Sequence, residues 1–264
     1  MPKIRVNDID IYYELKGEGF PLVMIMGLSA NIDWWPPEMV ERLAEHYKVL
    51  LFDNRGSGRT DSPEMEYSIS MMAKDTAGLM AELGIERAHL FGISMGGMIA
   101  QEMALSHAHR VEKLILGCTN CGHQNSVPAS PEVLNLLINQ TRITPEEMLK
   151  ILFPVDYISR NIETMEKSIK RYLIAPISPE AFMRQLSAIM NFNSYDRLPE
   201  ITTPTLIITG DQDILIPPEN SEILAGAISK ANLVLLKGCG HGFPTQAPDL
   251  LFDYIRQFLE SFSE

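Results

Sequence analysis

Short apolar runs alternate with helical patterns along most of the chain. Mostly apolar runs, which are typical of strands buried on both faces, occur at Pro21–Met26, Tyr47–Phe52, Arg87–Phe91, Val111–Gly117, Thr205–Thr209 and Leu233–Leu236. Helical patterns separate them, and the amphipathic stretch Ile69–Leu83 is followed by Gly84, a common helix terminator. This order predicts a mostly parallel, twisted sheet with helices on both faces.

The pattern differs at the beginning and in the middle of the chain. Lys3–Asn7 and Ile9–Leu15 predict an antiparallel hairpin, which brings the sheet to about eight strands. Between the strand patterns, a long middle stretch has helical patterns only, at Pro131–Gln140, Pro145–Leu152, Ile162–Ala175 and Pro179–Met190. We therefore expect an α/β core formed by residues 1–120 and 204–264, interrupted by a helical insertion at residues 121–203.

The segment Gly92–Gly97, with the sequence GISMGG, lies where a strand pattern changes to a helical one that begins at about Met98. Glycines two residues before and after a serine match the G-x-S-x-G nucleophile elbow, a strained turn that exposes the serine hydroxyl. Close backbone approach excludes side chains at both glycine positions. Ser94 is therefore a candidate nucleophile, and the alternative is a glycine-rich turn before an ordinary helix.

A serine hydroxyl is a weak nucleophile unless a base removes its proton. Among the six histidines, His241 lies in the glycine-rich loop Gly238–Phe243, directly after the last predicted strand. That loop is at the carboxyl edge of the sheet, where open α/β sheets place their sites. The other histidines lie at helix ends, inside a strand or in the loop after Gly117. His241 is the predicted base.

Two aspartates compete for the acid that orients this base. Asp211 and Asp213 both follow the strand Thr205–Thr209. Asp213 is preferred, because the loop that carries it continues to Pro217 and can turn toward His241. Asp211, next to a glycine, is predicted to satisfy backbone amides in the turn.

Acyl transfer also needs two backbone N–H groups directed at the developing oxyanion. Met95 follows the nucleophile at the start of a helix and supplies the first. Leu28 supplies the second, because Gly27 before it permits close backbone approach. Trp34 and Trp35 come soon after Leu28 and are candidate substrate-binding residues. Packing against the first helix is an equally good interpretation of both rings.

Composition narrows the range of partners. The apolar fraction of 45% and the charged fraction of 21% are ordinary for a globular protein, and no apolar window predicts a membrane span. The formal charge of −12 argues against nucleic acid and anionic membrane surfaces. Three cysteines and no signal-like N-terminus favour a reduced, cytoplasmic protein. We expect a monomer or a homodimer. We expect a small-molecule substrate and no cofactor.

The spacing Cys118-x-x-Cys121-x-His123 invites a zinc hypothesis. A structural zinc site needs four ligands, and the fourth would have to come from elsewhere, so ordinary cysteines near a strand end are favoured and no metal is predicted. The loop Asp53–Arg59 is glycine-rich but lacks the lysine-serine/threonine ending of a phosphate-binding loop, and a structural role is favoured for it.

These motifs together resemble the α/β-hydrolase family, in its lid-bearing, esterase-like branch. The resemblance covers essentially the whole chain and rests on Met26-Gly27-Leu28, Asp53–Arg59 (similar to D-x-R-G-x-G-x-S), Gly92–Gly97, Gly210–Asp213 with Ile216-Pro217, Gly240-His241 and the order Ser94, Asp213, His241. It implies that the insertion is a cap over the active site. Met26 departs from the pattern, because relatives usually carry histidine there, and Thr60 stands where serine is common.

The resemblance implies a carboxylesterase-like serine hydrolase that cleaves a small-to-medium, largely apolar ester or lactone through an acyl-enzyme. Enol-lactone hydrolases are relatives of this kind. Carbon–carbon bond hydrolases, proline iminopeptidases and cofactor-free haloperoxidases of the same fold are alternatives. A haloalkane dehalogenase would carry aspartate in place of Ser94. From another class, a ligand-sensing receptor on the same fold is also an alternative.

Overall fold

Eight strands form one sheet in the computed structural model, which describes residues 3–139 and 144–261. The strands are β1 (Lys3–Val6), β2 (Ile9–Lys16), β3 (Pro21–Ile25), β4 (Lys48–Phe52), β5 (Ala88–Ile93), β6 (Val111–Gly117), β7 (Thr205–Gly210) and β8 (Ala231–Leu236). Their order across the sheet is β1-β2-β4-β3-β5-β6-β7-β8. β2 pairs antiparallel with β1 and β4, and the other neighbours pair in parallel. The predicted, mostly parallel sheet with an N-terminal hairpin is confirmed.

The helices are α1 (Pro37–Ala44), α2 (Ile69–Glu82), α3 (Met95–Ser106), α4 (Pro131–Ile138), α5 (Pro145–Leu152), α6 (Val155–Arg160), α7 (Ile162–Tyr172), α8 (Pro179–Met190), α9 (Glu219–Ala227), α10 (Phe243–Gln246) and α11 (Pro248–Glu260). In the part of the chain that the structure describes, no helix has both the length and the apolar character needed to cross a membrane.

Alternate residues of β3 point into two different apolar clusters, as expected for a strand that is covered on both faces. Val23 belongs to the apolar cluster that also contains side chains of α2, α3 and α9. Leu22 packs with side chains of α1 and α11. The helices therefore cover both faces of the sheet, which is what the continuous apolar strands predict.

The starts of one helix and one strand differ from the sequence pattern, and one helix was not predicted. α3 begins at Met95, immediately after Ser94, because Met95 and the two glycines after it belong to the helix rather than to a turn. β8 begins at Ala231 and leaves several residues partly exposed, as an edge strand does, so its first residues lack an apolar signal. The short α6 was not predicted, and the last residue of the predicted helix Pro131–Gln140 lies outside the described residues.

In the part of the chain that the structure describes, five α-helices, α4 to α8, lie between β6 and β7, where the sequence predicts an insertion. A 3₁₀ helix at Tyr195–Glu200 leads back to the sheet. Leu198 and Ile201 are fully buried in the core cluster that contains α2 and α3, so the end of the inserted segment packs with the core.

The loop after β4 connects core elements through buried charges. The Arg55 guanidinium, 1% exposed, pairs with Asp75 at 2.8 Å and with Asp8 at 2.7 Å. The Asp53 carboxylate accepts the backbone N–H groups of Ile32 and Arg59, each over 2.8 Å. Burial raises the pKa of Asp53 to about 6, although these hydrogen bonds oppose the rise. The geometry agrees with the structural role predicted for this loop.

Candidate active site

Ser94 joins β5 to α3 in a strained backbone conformation, with φ 55° and ψ −123°. Its N–H donates to the Gly117 carbonyl over 2.9 Å, and the Thr119 hydroxyl donates to its carbonyl over 2.7 Å. A Cβ on Gly96 would lie 2.1 Å from the Ile25 carbonyl oxygen, so no side chain fits there. The strand–turn–helix that the G-x-S-x-G pattern predicts is present, and surrounding contacts hold the strain in place.

His241 and Asp213 form a buried hydrogen-bonded pair. His241 Nδ1 lies 2.8 Å from Asp213 Oδ2. A carboxylate only accepts hydrogen bonds, so Nδ1 carries a hydrogen and Nε2 is the ring nitrogen that can take up or release a second proton. The other carboxylate oxygen, Oδ1, accepts the N–H groups of Leu215 and Ile216, each over 2.9 Å. These contacts hold the carboxylate in one orientation toward the imidazole.

The environment of His241 favours its charged form. Burial by itself would lower the pKa of the imidazole, but the adjacent Asp213 carboxylate outweighs this and holds the pKa well above its ordinary value. An imidazole in this position readily keeps a proton that it accepts, which is the property of a general base whose cation is stabilised by a carboxylate. Ser94 and His241 line the same cavity.

Asp211 lies in the same loop but makes a different contact. It is exposed, and its Oδ1 accepts the N–H of Gly238 over 2.6 Å. It therefore satisfies a backbone amide in the loop that carries His241. The arrangement supports the choice of Asp213 over Asp211 as the partner of the histidine.

The loop of residues 27–34, here called the oxyanion loop, lies against the serine. A Cβ on Gly27 would come within 2.9 Å of the Ser94 Cβ, so only glycine permits this approach. Leu28 and Met95 both line the cavity that Ser94 lines. Within the described part of the chain, neither backbone N–H has a protein acceptor. Both amides are thus available to an oxygen bound beside Ser94.

A cavity of about 360 Å³ lies beside Ser94 and His241. Apolar side chains of the insertion cover it, including Leu137, Met148, Ile151, Leu152, Leu186 and Ile189. Among the described residues, its lining contains no aspartate, glutamate, lysine or arginine. The space therefore suits a neutral, largely apolar molecule with one reactive polar group.

The two tryptophans have different surroundings. Trp34 lines the cavity and stacks on Tyr172 of α7, with ring centroids 4.0 Å apart. Trp35 is 2% exposed and packs against Phe91 in the core. The expectation that Trp35 binds substrate is therefore wrong, because its ring points into the sheet rather than toward the cavity. Only Trp34 remains a candidate.

Sequence reasoning did not identify Gln185 and Tyr172. Gln185 is fully buried and contacts the oxyanion loop, and Tyr172 lines the cavity. A signal for Gln185 was available, because it is a polar residue on the apolar face of the predicted helix Pro179–Met190. Tyr172 had no such signal, since one aromatic residue in an amphipathic helix is ordinary.

The cysteines contact different partners. Cys121 Sγ lies 3.9 Å from Ser126 Oγ, whereas Cys118 Sγ lies 3.9 Å from His241 Nε2. The side chain of His123 is outside the described part of the structure. Ligand atoms of Cys118, Asp213 and His241 lie within 4.8 Å of one another. Burial raises the pKa of the Cys118 thiol, however, and a protonated thiol is a poor metal ligand.

The sequence matches two family models. Residues 21–148 match a model described as the alpha/beta hydrolase fold, and residues 160–251 match a model described as serine hydrolase (FSH1). A putative carbamate hydrolase, RutD, of Yersinia enterocolitica is 30% identical over 250 residues, which are 88% of this chain and 85% of the relative.

Two solved structures are similar over nearly the whole chain. An esterase from Thermogutta terrifontis is 27% identical with a TM-score of 0.84, and the match covers 98% of each chain. An enol-lactonase from Burkholderia xenovorans is 28% identical with a TM-score of 0.87, and the match covers 98% of this chain and 100% of the other. The likeness therefore extends over the helical insertion as well as the sheet.

Proposed function

The chain belongs to the α/β-hydrolase family, and we propose that it is a serine hydrolase that cleaves small-to-medium, largely apolar carboxylic esters or lactones. The observation that carries this proposal is the His241–Asp213 pair, which opens on the same largely apolar cavity as the strained Ser94. The similarity to an esterase and an enol-lactonase supports the reaction class. The helical segment 121–203 serves as a cap that excludes water from the acyl group.

The geometry supports an acyl-enzyme mechanism. Ser94 Oγ attacks the carbonyl carbon while His241 Nε2 takes its proton, and Asp213 stabilises the resulting imidazolium. The carbonyl oxygen becomes an oxyanion, which accepts hydrogen bonds from the Leu28 and Met95 amides. When the C–O bond of the ester breaks, the imidazolium returns its proton to the leaving alkoxide. Water then attacks the acyl-enzyme with His241 again acting as the base, and the carboxylic acid and free Ser94 result.

The lining of the cavity supports a neutral acyl group. An ammonium group in the substrate would lose its hydration without gaining an aspartate or glutamate partner from the described lining, and a carboxylate would find no lysine or arginine there. An aminopeptidase binds a charged amine and would need an acidic side chain here. The arrangement of Leu186, Ile189 and Met148 instead favours an alkyl or aryl acyl chain.

A carbamate is the second candidate substrate, because the Yersinia enterocolitica relative is named a putative carbamate hydrolase. Its carbonyl is open to the same attack by Ser94. A neutral carbamate ester fits the apolar cavity, whereas an anionic carbamate finds no lysine or arginine among the described lining residues. The two candidates differ in the group next to the carbonyl and not in the catalytic residues.

The experiment that tests the proposal measures turnover of p-nitrophenyl esters, lactones and neutral carbamates by the wild type and Ser94→Ala. We expect multiple turnovers of an ester or lactone by the wild type and a loss of at least about 1,000-fold in Ser94→Ala. Ser187→Ala, which changes an exposed serine of α8, is the matched control. A fluorophosphonate should label the wild type and the control but not Ser94→Ala. A single covalent event without turnover would instead support a ligand-sensing receptor.

A further inference from the structure

Gln185 of α8 joins the helical insertion to the oxyanion loop. It is fully buried, and its Oε1 accepts the Ser29 N–H over 2.9 Å. Its Nε2 donates to the Arg55 carbonyl over 2.8 Å and to the Ser57 hydroxyl over 2.9 Å. Both amide hydrogens and the oxygen of one side chain are thus used to hold two loops of the core.

We propose that Gln185 is a positioning residue that holds the Leu28 amide in place for the oxyanion. Ser29 has φ 63°, a left-handed conformation that a residue with a side chain adopts only when its surroundings hold it. The peptide between Leu28 and Ser29 carries the N–H that Gln185 accepts. The Leu28 N–H lies on the other side of the Leu28 Cα from this peptide. Holding the peptide in place therefore also holds the direction of the Leu28 N–H.

Other residues of the oxyanion loop also contact α7 and the connection between α7 and α8. The Asn31 side-chain amide donates to the carbonyls of Ile174 and Ala175, over 2.7 and 2.9 Å. The Trp34 ring stacks on Tyr172. Because these contacts all come from α7, α8 and their connection, the position of the insertion determines the course of the loop. Gln185 makes the contact nearest to the proposed oxyanion donor.

The same helix also contacts the space for the substrate. Leu186 and Ile189, which are one and four residues after Gln185, line the cavity. α8 therefore couples the wall of the acyl site to the amide that stabilises the transition state. Such a coupling affects the rate of the chemical step rather than ground-state binding, because an ester carbonyl bears little charge before attack.

This inference rests on the proposed function, so the ester is first assayed with Ser94→Ala. In Gln185→Met, which keeps the length but removes every hydrogen bond, we expect kcat to fall about 10- to 100-fold with KM within about threefold of the wild type. The inhibition constant of an alkyl trifluoromethyl ketone, which adds to Ser94 and forms an oxyanion, should rise by a similar factor. Gln185→Asn, whose amide is too short to reach Ser29, should act in the same direction.

Gln101→Met is the matched control. Gln101 is also fully buried, and it donates to the Gly97 and Asn120 carbonyls and accepts from the Ser194 hydroxyl. Gln101→Met should lower Tm about as much as Gln185→Met does, but its kcat should stay within about threefold of the wild-type value. Gln185→Glu keeps an acceptor for the Ser29 N–H but loses the amide donor, so it should lower Tm and retain kcat within about threefold.

The outcomes separate the two proposals. Normal turnover by Ser94→Ala overturns both the proposed nucleophile and the role of Gln185. If turnover depends on Ser94 but kcat stays normal in Gln185→Met and Gln185→Asn, only the positioning role is wrong. An equal fall of kcat in Gln101→Met would show that loss of any buried amide has this effect, and would also overturn it. Should Gln185→Met not fold, the kcat of Gln185→Asn decides.

Discussion

At the level of single residues, the two aspartates of the loop after β7 differ in their hydrogen-bond partners. Asp213 is buried beside the His241 imidazole, and Asp211 is exposed and holds a backbone amide. His241 acts as a base only when neutral, so kcat/KM should fall as the pH drops below its pKa. The Asp213 carboxylate raises that pKa, and removing the carboxylate lowers it.

Asp213→Asn should therefore move the acidic limb of the pH–rate profile to lower pH. It should also reduce kcat by about 1,000-fold or more, because an amide donor facing Nδ1 favours the wrong tautomer. Asp211→Asn should leave the acidic limb of the pH–rate profile at the wild-type position and kcat within about threefold of the wild-type value. Profiles of kcat/KM from pH 5 to 9 measure both effects. An unshifted limb in Asp213→Asn would contradict the assignment of the pair.

His89 illustrates a buried histidine with the opposite behaviour. It lies in β5 beside Phe20, and burial, helped by the Lys113 and Arg87 cations, lowers its pKa to about 4. Between pH 6.5 and 4 the unfolded chain binds a proton at this residue and the folded chain does not. The contribution of His89 to stability is thus present above pH 6.5 and is lost as the pH falls toward 4.

Replacing His89 by phenylalanine should remove this acid sensitivity. The free energy of unfolding of His89→Phe relative to the wild type should be constant above about pH 7 and should rise by about 3 kcal/mol between pH 6.5 and 4. Using the difference cancels other titrating groups such as Asp53, whose pKa is raised. Urea denaturation at several pH values measures it. Parallel stability profiles would show that His89 titrates normally in the folded chain.

The catalytic candidates could be found from the sequence because each follows a strand at the carboxyl edge of the sheet. Ser94, Asp213 and His241 come after β5, β7 and β8, and topology alone brings those strand ends together. Trp35 could not be assigned, because adjacent residues in a short loop point in directions that the sequence pattern does not encode. The role proposed for Gln185 could not be predicted either, because it depends on a contact with Ser29, which is 156 positions away in the chain.

At the level of elements, the elbow depends on close contact between α3 and the end of β3. Gly96 is in the first turn of α3, where an added Cβ would meet the Ile25 carbonyl oxygen at 2.1 Å. That backbone atom cannot move without disturbing β3. Gly226 in α9 is exposed, has no atom within 4 Å of an added Cβ, and does not have a positive φ.

Alanine should thus have opposite effects at the two helical glycines. Gly96→Ala should destabilise the protein by about 3 kcal/mol or more through overpacking and should abolish turnover. Gly226→Ala should stabilise it by about 0.5–1 kcal/mol, because alanine is the better helix former. Thermal denaturation and ester turnover measure both. A Gly96→Ala variant that is stable and active would show that the elbow tolerates a side chain.

Apart from the short α6, the helices of the insertion were predicted in position, and α5 and α8 have their predicted bounds, but the faces that they turn toward the cavity were not predicted. Core strands are apolar on both faces, so their pattern needs no knowledge of a partner. In the insertion, Met183 is exposed while Leu186, three residues later on α8, lines the cavity. Both are apolar residues of an amphipathic helix, and only the packing of α8 on the core distinguishes them. The sequence therefore predicts that the insertion is helical but not which residues face the substrate.

At the level of the whole molecule, the cavity lies between the sheet edge and the helical insertion, and its volume determines which acyl groups fit. Burial of each methylene contributes about 0.8 kcal/mol, which is roughly fourfold in binding. In the wild type, kcat/KM should therefore increase with acyl length until the chain fills the cavity of about 360 Å³. In the proposed mechanism, the strand ends of the sheet supply the reactive groups and the insertion limits the length of the acyl chain.

Met148 of α5 lines the cavity, and Met183 of α8 is an exposed methionine of the same insertion. Met148→Trp places a larger ring in the space for the acyl chain. We expect kcat/KM for an octanoate ester to fall about tenfold or more, the loss of roughly two buried methylenes, while that for an acetate ester stays within about threefold. Met183→Trp, the matched control, should leave the ratio of the two rates unchanged. If the ratio is the same in both variants, acyl chains bind outside this cavity and the insertion does not select for length.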